Sequence, residues 1–138
     1  MAYPNFSLYH ATKWGIEGFV ESVAQEVAPF GIDFLLVEPG PTHTNFASGL
    51  VRATPMTEYG GTPAGALHGG LDSGALPIKG DAGRTVDALI AAADTARPPL
   101  RLALGSTAYT SIRAALNGRL DALDAQKEQA FAADVDAG

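Results

Sequence analysis

A tyrosine and a lysine separated by three residues form the pair in this sequence that is best suited to proton transfer. On a helix, Tyr9 and Lys13 lie on one face within reach of each other, because side chains four positions apart are neighbours. A free phenol has a reference pKa of about 10, which is too high for efficient acid–base work at neutral pH. A neighbouring ammonium favours the phenolate and so makes proton transfer easier. The spacing alone is weak evidence, since a tyrosine beside a solvated lysine is also common at a helix start.

A helix over residues 9–29 is predicted to carry this pair. Its apolar residues recur at intervals of three and four, which is the pattern of an amphipathic helix. Ser7 is the predicted N-cap, and Pro29 followed by Gly31 ends the helix. The short apolar run Ile32–Val37 then predicts a strand of a parallel sheet, buried on both faces.

A second helix and strand are predicted after a long loop. Residues 45–79 are rich in glycine and proline, and a loop of this length inside a domain is typically a lid or a binding loop, here with one or two short helices. Asp81 is the predicted N-cap of the next helix, and Leu100–Leu104 is the second strand. A last helix, capped by Ser or Thr, covers about 106–132, with Asn117-Gly118 as a predicted break.

The order helix–strand–lid–helix–strand–helix is typical of an α/β fold. Two parallel strands do not make a stable sheet by themselves, because three or more strands, or cover on both faces, are normally needed. The sequence therefore predicts one partial domain over residues 1–138, with an open sheet edge through which the chain self-associates or pairs with a missing half.

The composition excludes several classes of function. The chain has 138 residues, no cysteine, 17% charged residues and a formal net charge of −6. These values exclude disulfides and argue against disorder, nucleic-acid binding and an anionic membrane partner. No apolar run reaches the roughly 18 residues of a membrane span, and the three histidines lack metal-ligand spacing. The sequence therefore predicts a cytoplasmic chain with no metal site.

Several segments together resemble the short-chain dehydrogenase/reductase family. Tyr9–Phe19 (YHATKWGIEGF) resembles the active-site helix of that family, and Gln25–Ile32 its end and the entry to the next strand. Val37–Thr44 (VEPGPTHT) is similar to the family's Pro-Gly-x-x-x-Thr signature, and Gly80-Asp81 to the start of its final helix. The motifs follow in the right order over roughly residues 3–105. The resemblance implies the C-terminal part of a doubly wound, Rossmann-like parallel sheet.

The resemblance also implies an activity, namely hydride transfer between NAD or NADP and a carbonyl or alcohol substrate. Tyr9 would be the general acid or base, and Lys13 would hydrogen-bond the nicotinamide ribose and keep the phenol acidic. Residues after the first strand would lie against the nicotinamide or bind its carboxamide or the pyrophosphate. The cofactor-binding residues implied in this way are Lys13, Pro39, Gly40, Thr42 and Thr44.

The sequence departs from the family pattern in three features. The family's glycine-rich turn and catalytic serine precede the tyrosine and have no counterpart in these residues, since Ser7 is too close to Tyr9. The asparagine that completes the family's proton relay is also missing. An alternative is therefore a catalytically incomplete chain that acts as an association module through the helix 9–29, which commonly packs in the helix bundle of a dimer in this family. In that alternative the module associates with a full-length relative. The chain is also expected to form a homo-oligomer through the helix 9–29.

Overall fold

Helices alternate with two short strands in the order that the sequence predicts. The structure is a computed structural model that describes residues 1–46, 48–75 and 77–135. Within these residues, no helix has the length and apolar character needed to cross a membrane. The helices are α1 (Ser7–Val27), α2 (Pro63–Asp72), α3 (Ala82–Ala93), α4 (Ser106–Asp124) and α5 (Lys127–Phe131); the strands are β1 (Leu36–Pro39) and β2 (Arg101–Leu104); and two 3-10 turns cover Ala28–Phe30 and Thr57–Tyr59.

The two strands pair in parallel, which confirms the predicted α/β arrangement. Their register aligns Leu36 with Arg101 and Pro39 with Leu104, so both strands end at the same edge of the sheet. Beyond that edge the chain stays ordered, because Thr42 forms an isolated parallel bridge with Gly80. The carboxyl ends of the strands and the residues that follow them are therefore held together, as is usual for the functional edge of an open parallel sheet.

The ends of α1 and β1 differ from the sequence-based prediction. Ser7 is the first residue of α1 and does not cap it, since the cap residue is Phe6 and no side chain accepts a hydrogen bond there. At the other end, the helix tightens into a 3-10 turn and stops at Gly31, whose φ of 72° suits a residue without a Cβ. The predicted strand start at Ile32 is wrong, because β1 pairs only from Leu36 onward.

The last helix also differs from the prediction, because the predicted helix over about 106–132 is divided into α4, which ends at Asp124, and the short α5 over Lys127–Phe131. Gly105, with a φ of 94°, is the cap residue of α4, so neither Ser106 nor Thr107 caps it. The predicted break at Asn117-Gly118 is wrong, because α4 continues to Asp124. A glycine within an exposed helix costs only about 1 kcal/mol relative to alanine, which a helix of this length tolerates. By contrast, the predicted cap of α3 is confirmed, since the Asp81 carboxylate accepts a hydrogen bond from the Arg84 amide at 2.8 Å.

The core is small, and the expectation that β1 is buried on both faces is wrong. Among the described residues, only Val20 and Ala108 are buried hydrophobic residues. Residues 36–38 of β1 are half-buried and Pro39 is exposed. Each strand is paired with the other along one edge only. The helical layers that normally cover both faces of a parallel sheet are not supplied by the described residues. Large apolar side chains of α1, such as Phe19 at 65% exposure, consequently remain in contact with solvent.

A single arginine ties α1 to both strands. The Arg101 guanidinium of β2 donates to Glu17 at 2.9 Å and to Glu21 at 2.7 Å, which are one helical turn apart on α1. It also donates to Glu38 of β1. The hydrogen bond with Glu21, aided by those with Glu17 and Glu38, raises the pKa of Arg101 above its ordinary value, although partial burial opposes the shift. The planar guanidinium can serve several carboxylates at once, so the arrangement fixes the helix on the strand pair.

We predict that Gly80→Ala destabilises the protein by about 1–3 kcal/mol, because an added methyl group has no room. A Cβ on Gly80 would lie 2.8 Å from the Pro41 carbonyl oxygen and 2.9 Å from the Thr42 Cα, and backbone atoms cannot move aside cheaply. Gly118→Ala is the matched control, since no atom lies within 4 Å of its Cβ position and alanine favours the helix by up to about 1 kcal/mol. Urea unfolding measures the free energy of unfolding of both variants. Equal stability changes in the two would contradict the close approach at Gly80.

Candidate active site

The first turns of α1 bring Tyr9 and Lys13 together. The Lys13 ammonium lies 5.6 Å from the centroid of the Tyr9 ring. Val20 lies on the same helix face two to three turns further on and is buried, whereas this face is exposed at Tyr9 itself. Tyr9 is 41% exposed, which leaves the phenol accessible to a small molecule. The pair is thus positioned by the helix and is open at one side.

Aromatic rings surround the Tyr9 phenol. Phe6 and Phe46 both meet it edge to face, with centroids 6.0 Å away, and His10 does so at 5.6 Å. Such edge-to-face contacts hold a ring in a preferred orientation. Phe46 belongs to the segment that follows β1, so the contact brings the sheet edge to the start of α1. Sequence reasoning did not single out Phe46, and no spacing or motif in the chain pointed to it.

His10 has a structural role beside this pair. Its Nε2 atom accepts a hydrogen bond from the Tyr3 amide at 3.0 Å, so this nitrogen holds the segment that precedes α1. Within the described residues, no group of three or more histidine, cysteine or acidic side chains could hold a metal ion.

The four other predicted site residues lie at the end of β1 or within five residues after it. Pro39 is its last residue and is exposed. The Thr42 hydroxyl donates to the Gly40 carbonyl at 2.8 Å, so its hydrogen is committed while its lone pairs stay available. The Thr44 hydroxyl oxygen accepts a hydrogen bond from the Phe46 amide at 3.3 Å, and its own hydrogen has no acceptor in the part of the chain that the structure describes.

Gly40 is constrained by packing at the same edge. A Cβ at this position would lie 3.1 Å from the amide nitrogen of Ala108 and 3.4 Å from the Thr107 Cβ, both in the first turn of α4. Its amide also donates to the Leu104 carbonyl at 2.9 Å, which extends the sheet by one residue. The absence of a side chain at Gly40 therefore allows α4 to approach the end of β1.

The donor groups at this edge fit the nicotinamide end of a dinucleotide. The Lys13 ammonium forms no ion pair or hydrogen bond with any described residue, so its donors are available for ribose hydroxyls. Thr44 can donate its hydroxyl hydrogen, and Thr42 can accept. No glycine-rich turn for a pyrophosphate follows either strand, because Gly40 and Gly105 lead into Pro41 and Ser106 without the G-x-G-x-x-G pattern.

Comparison with known proteins identifies a family to which this chain is similar. The family model described as "short chain dehydrogenase" matches residues 1–54. Oxidoreductase calM of Penicillium decumbens is 36% identical over 135 residues, which are 92% of this chain and 44% of that protein. Human retinol dehydrogenase 8 is 43% identical over 61 residues, which are 44% of this chain and 20% of that protein.

The fold has a solved counterpart. The crystal structure of a short-chain dehydrogenase from Streptomyces avermitilis superposes with a TM-score of 0.80 at 31% identity, covering 97% of this chain and 48% of that one. The chain therefore spans less than half the length of these relatives. From the matching motifs, the shared fold and the related sequences, we conclude that the chain belongs to the short-chain dehydrogenase/reductase family.

Proposed function

We propose that this chain supplies the acid–base part of an NAD(P)-dependent oxidoreductase that interconverts a carbonyl compound and an alcohol. The observation that carries the proposal is the Lys13 ammonium, 5.6 Å from the Tyr9 ring centroid, in a chain of this family. Tyr9 is the general acid in the reduction and the general base in the oxidation. Lys13 serves both the phenol and the cofactor ribose.

Bound NAD(P)H supplies the hydride that reduces the carbonyl carbon. The Tyr9 hydroxyl donates its proton to the carbonyl oxygen, and in the reverse direction the phenolate takes that proton from the alcohol. The Lys13 ammonium stabilises the phenolate by charge attraction. The rings of Phe6 and Phe46 contact the Tyr9 ring edge to face and so favour one orientation of it.

The residues after β1 hold the nicotinamide in this proposal. Pro39 and Gly40 would lie against its ring, Thr42 would accept from its carboxamide, and Thr44 would donate to the carboxamide or the pyrophosphate. The donor and acceptor atoms left available on the two threonines support this assignment. The substrate lies under the lid, where Met56 and Tyr59 present apolar surface at 62% and 51% exposure. The name of human retinol dehydrogenase 8 supports an alcohol or carbonyl substrate.

We predict that Tyr9→Phe, in a protein that contains these residues together with the complete cofactor site, lowers kcat by about 100-fold or more, because positioned proton transfer contributes about 10²–10⁴ to rate. The assay follows oxidation of NADH or NADPH with benzaldehyde as the carbonyl probe, and cofactor affinity should change little. Tyr109→Phe, at a 60% exposed tyrosine of α4, is the control and should retain full activity. Activity of Tyr9→Phe within a few-fold of the unchanged protein would refute the role of Tyr9.

Lys13→Met should weaken both turnover and cofactor binding, since one ammonium serves the phenol and the ribose. The matched control is Lys127→Met, because Lys127 also lies four residues from an aromatic ring, with its ammonium 5.6 Å from the Phe131 centroid. We expect Lys13→Met, but not Lys127→Met, to lower cofactor affinity about tenfold or more, because the hydrogen bonds of a charged donor are lost. Titration of each variant with NADH and NADPH measures this affinity. Equal affinities of the two variants would argue against ribose binding by Lys13.

A second candidate function is association through α1. Leu8, Ile16 and Phe19 are 83%, 52% and 65% exposed along this helix, and β1 pairs with a described strand on one edge only. Exposed apolar surface beside an open strand edge favours pairing with another chain. The partner in this proposal is a second copy of the chain, bound through the helix that also carries Tyr9.

Sedimentation equilibrium at micromolar concentration should therefore show a dimer or larger species. Phe19→Glu should shift the protein towards monomer, because a carboxylate cannot be buried in an apolar interface without a partner. Phe131→Glu is the matched control at a phenylalanine of similar exposure, 66%, in α5. A monomer at all concentrations, or equal effects of the two substitutions, would exclude association through α1.

A further inference from the structure

The lid is organised around a rigid unit that we call the lid unit, residues 57–72, formed by the 3-10 turn Thr57–Tyr59 and α2. The Thr62 hydroxyl donates to the Tyr59 carbonyl at 2.8 Å and caps α2 by accepting from the Gly65 amide. A Cβ on Gly65 would lie 2.3 Å from the Tyr59 carbonyl oxygen, so the turn and the helix are in close contact. These contacts therefore hold the turn and α2 together as one unit.

A single hydrogen bond joins the larger segment that contains the lid unit, residues 51–75, to the other described residues. Arg52 and His68 both pair with Asp72, but all three residues lie within the lid segment. Among the hydrogen bonds of the described residues, a single one joins residues 51–75 to residues outside that range. In it, the Asn5 side-chain amide donates to the Ala64 carbonyl in the first turn of α2 at 2.8 Å.

The backbone at Asn5 is unusual as well. It is the only non-glycine residue with a positive φ, 65°, in the described part of the chain. Pro4 and Asn5 form a turn, and this pair suits the central positions of a type II turn, where the second residue needs a positive φ. The turn lies immediately before α1, so it directs the amide of Asn5 to α2 from a point four residues before Tyr9.

We propose that Asn5 is a positioning residue that holds the lid unit at the start of the active-site helix through its hydrogen bond to the Ala64 carbonyl. The inference rests on the proposed function, since the lid is taken to cover the substrate. Asparagine meets both requirements of the position, because it tolerates a positive φ and carries an amide donor. The bond thereby couples the location of the substrate-side lid to the helix that carries the proton donor.

Two substitutions at this residue separate the hydrogen bond from the turn. Asn5→Gly keeps the positive φ but removes the donor, whereas Asn5→Asp keeps the size and replaces the donor with a carboxylate that can only accept. Hydrogen exchange of the purified protein is measured over α2 and, as a reference for folding, over α3. Asn117→Asp, in the middle of exposed α4, is the control for the added charge.

We expect both Asn5 variants to exchange about three- to tenfold faster in α2, which corresponds to the loss of one hydrogen bond, with α3 unchanged. In the benzaldehyde assay the same variants should raise KM by a similar factor and change kcat less than twofold, because Tyr9 keeps its place. Asn117→Asp should match the unchanged protein in both measurements.

If α2 of the Asn5→Gly variant exchanges as slowly as α2 of the unchanged protein, the proposal is overturned, since the turn alone would then suffice to hold the lid unit. Equal acceleration in α2 and α3, or a loss of kcat at unchanged KM, would overturn it too. The exchange result does not depend on activity. A protein that fails to oxidise NADH or NADPH therefore contradicts the proposed function and leaves the role of Asn5 in holding the lid to be decided by α2 exchange.

Discussion

The parallel pairing of β1 with β2 is the constraint on which the other features of the structure depend. It ends both strands at one edge and so places Gly40 beside the start of α4, where a Cβ would be 3.1 Å from the Ala108 amide nitrogen. The Thr42–Gly80 bridge continues the pairing beyond the strands and brings the start of α3 to the same edge. Close backbone approach therefore requires glycine at positions 40 and 80, since a larger residue would push the neighbouring segments apart.

The placement of α1 follows from the same strand pair. Arg101 in β2 reaches Glu17 and Glu21, so the register of the sheet sets the position of α1 along its axis. The guanidinium is 38% exposed, and ion pairs at that exposure contribute modestly to stability because solvent screens them. Their value lies in geometry: a planar group with three carboxylate partners allows few orientations of the helix, and the Tyr9 phenol is consequently directed to the segment after β1.

Sequence reasoning was accurate where local chemistry determines the structure and failed where contacts are long-range. The helix around Tyr9, the Asp81 cap and the parallel strands could be predicted from periodicity and capping. The half-buried state of β1 could not be predicted, because burial depends on layers that lie outside the strand. Phe46 and the Arg101 cluster join residues far apart in sequence and left no local signal. Asn5 did leave one, the Pro-Asn turn pair, but the partner of its amide is 59 residues away.

The two sides of the candidate site are held with different strength, and this is compatible with the proposed function. The sheet edge is fixed by backbone pairing, by glycines in close contact and by α4, all of which leave little freedom. The lid unit is internally well connected, yet a single side-chain hydrogen bond joins the segment that contains it, residues 51–75, to the described residues outside that segment. A bond of this kind contributes about 0.5–1.5 kcal/mol, so thermal motion can open it readily. Elements that must admit and release a ligand come from the least stable parts of a fold, whereas the groups that transfer a proton must not move. The division between a fixed phenol and a weakly fastened lid therefore follows from the number and kind of contacts on each side.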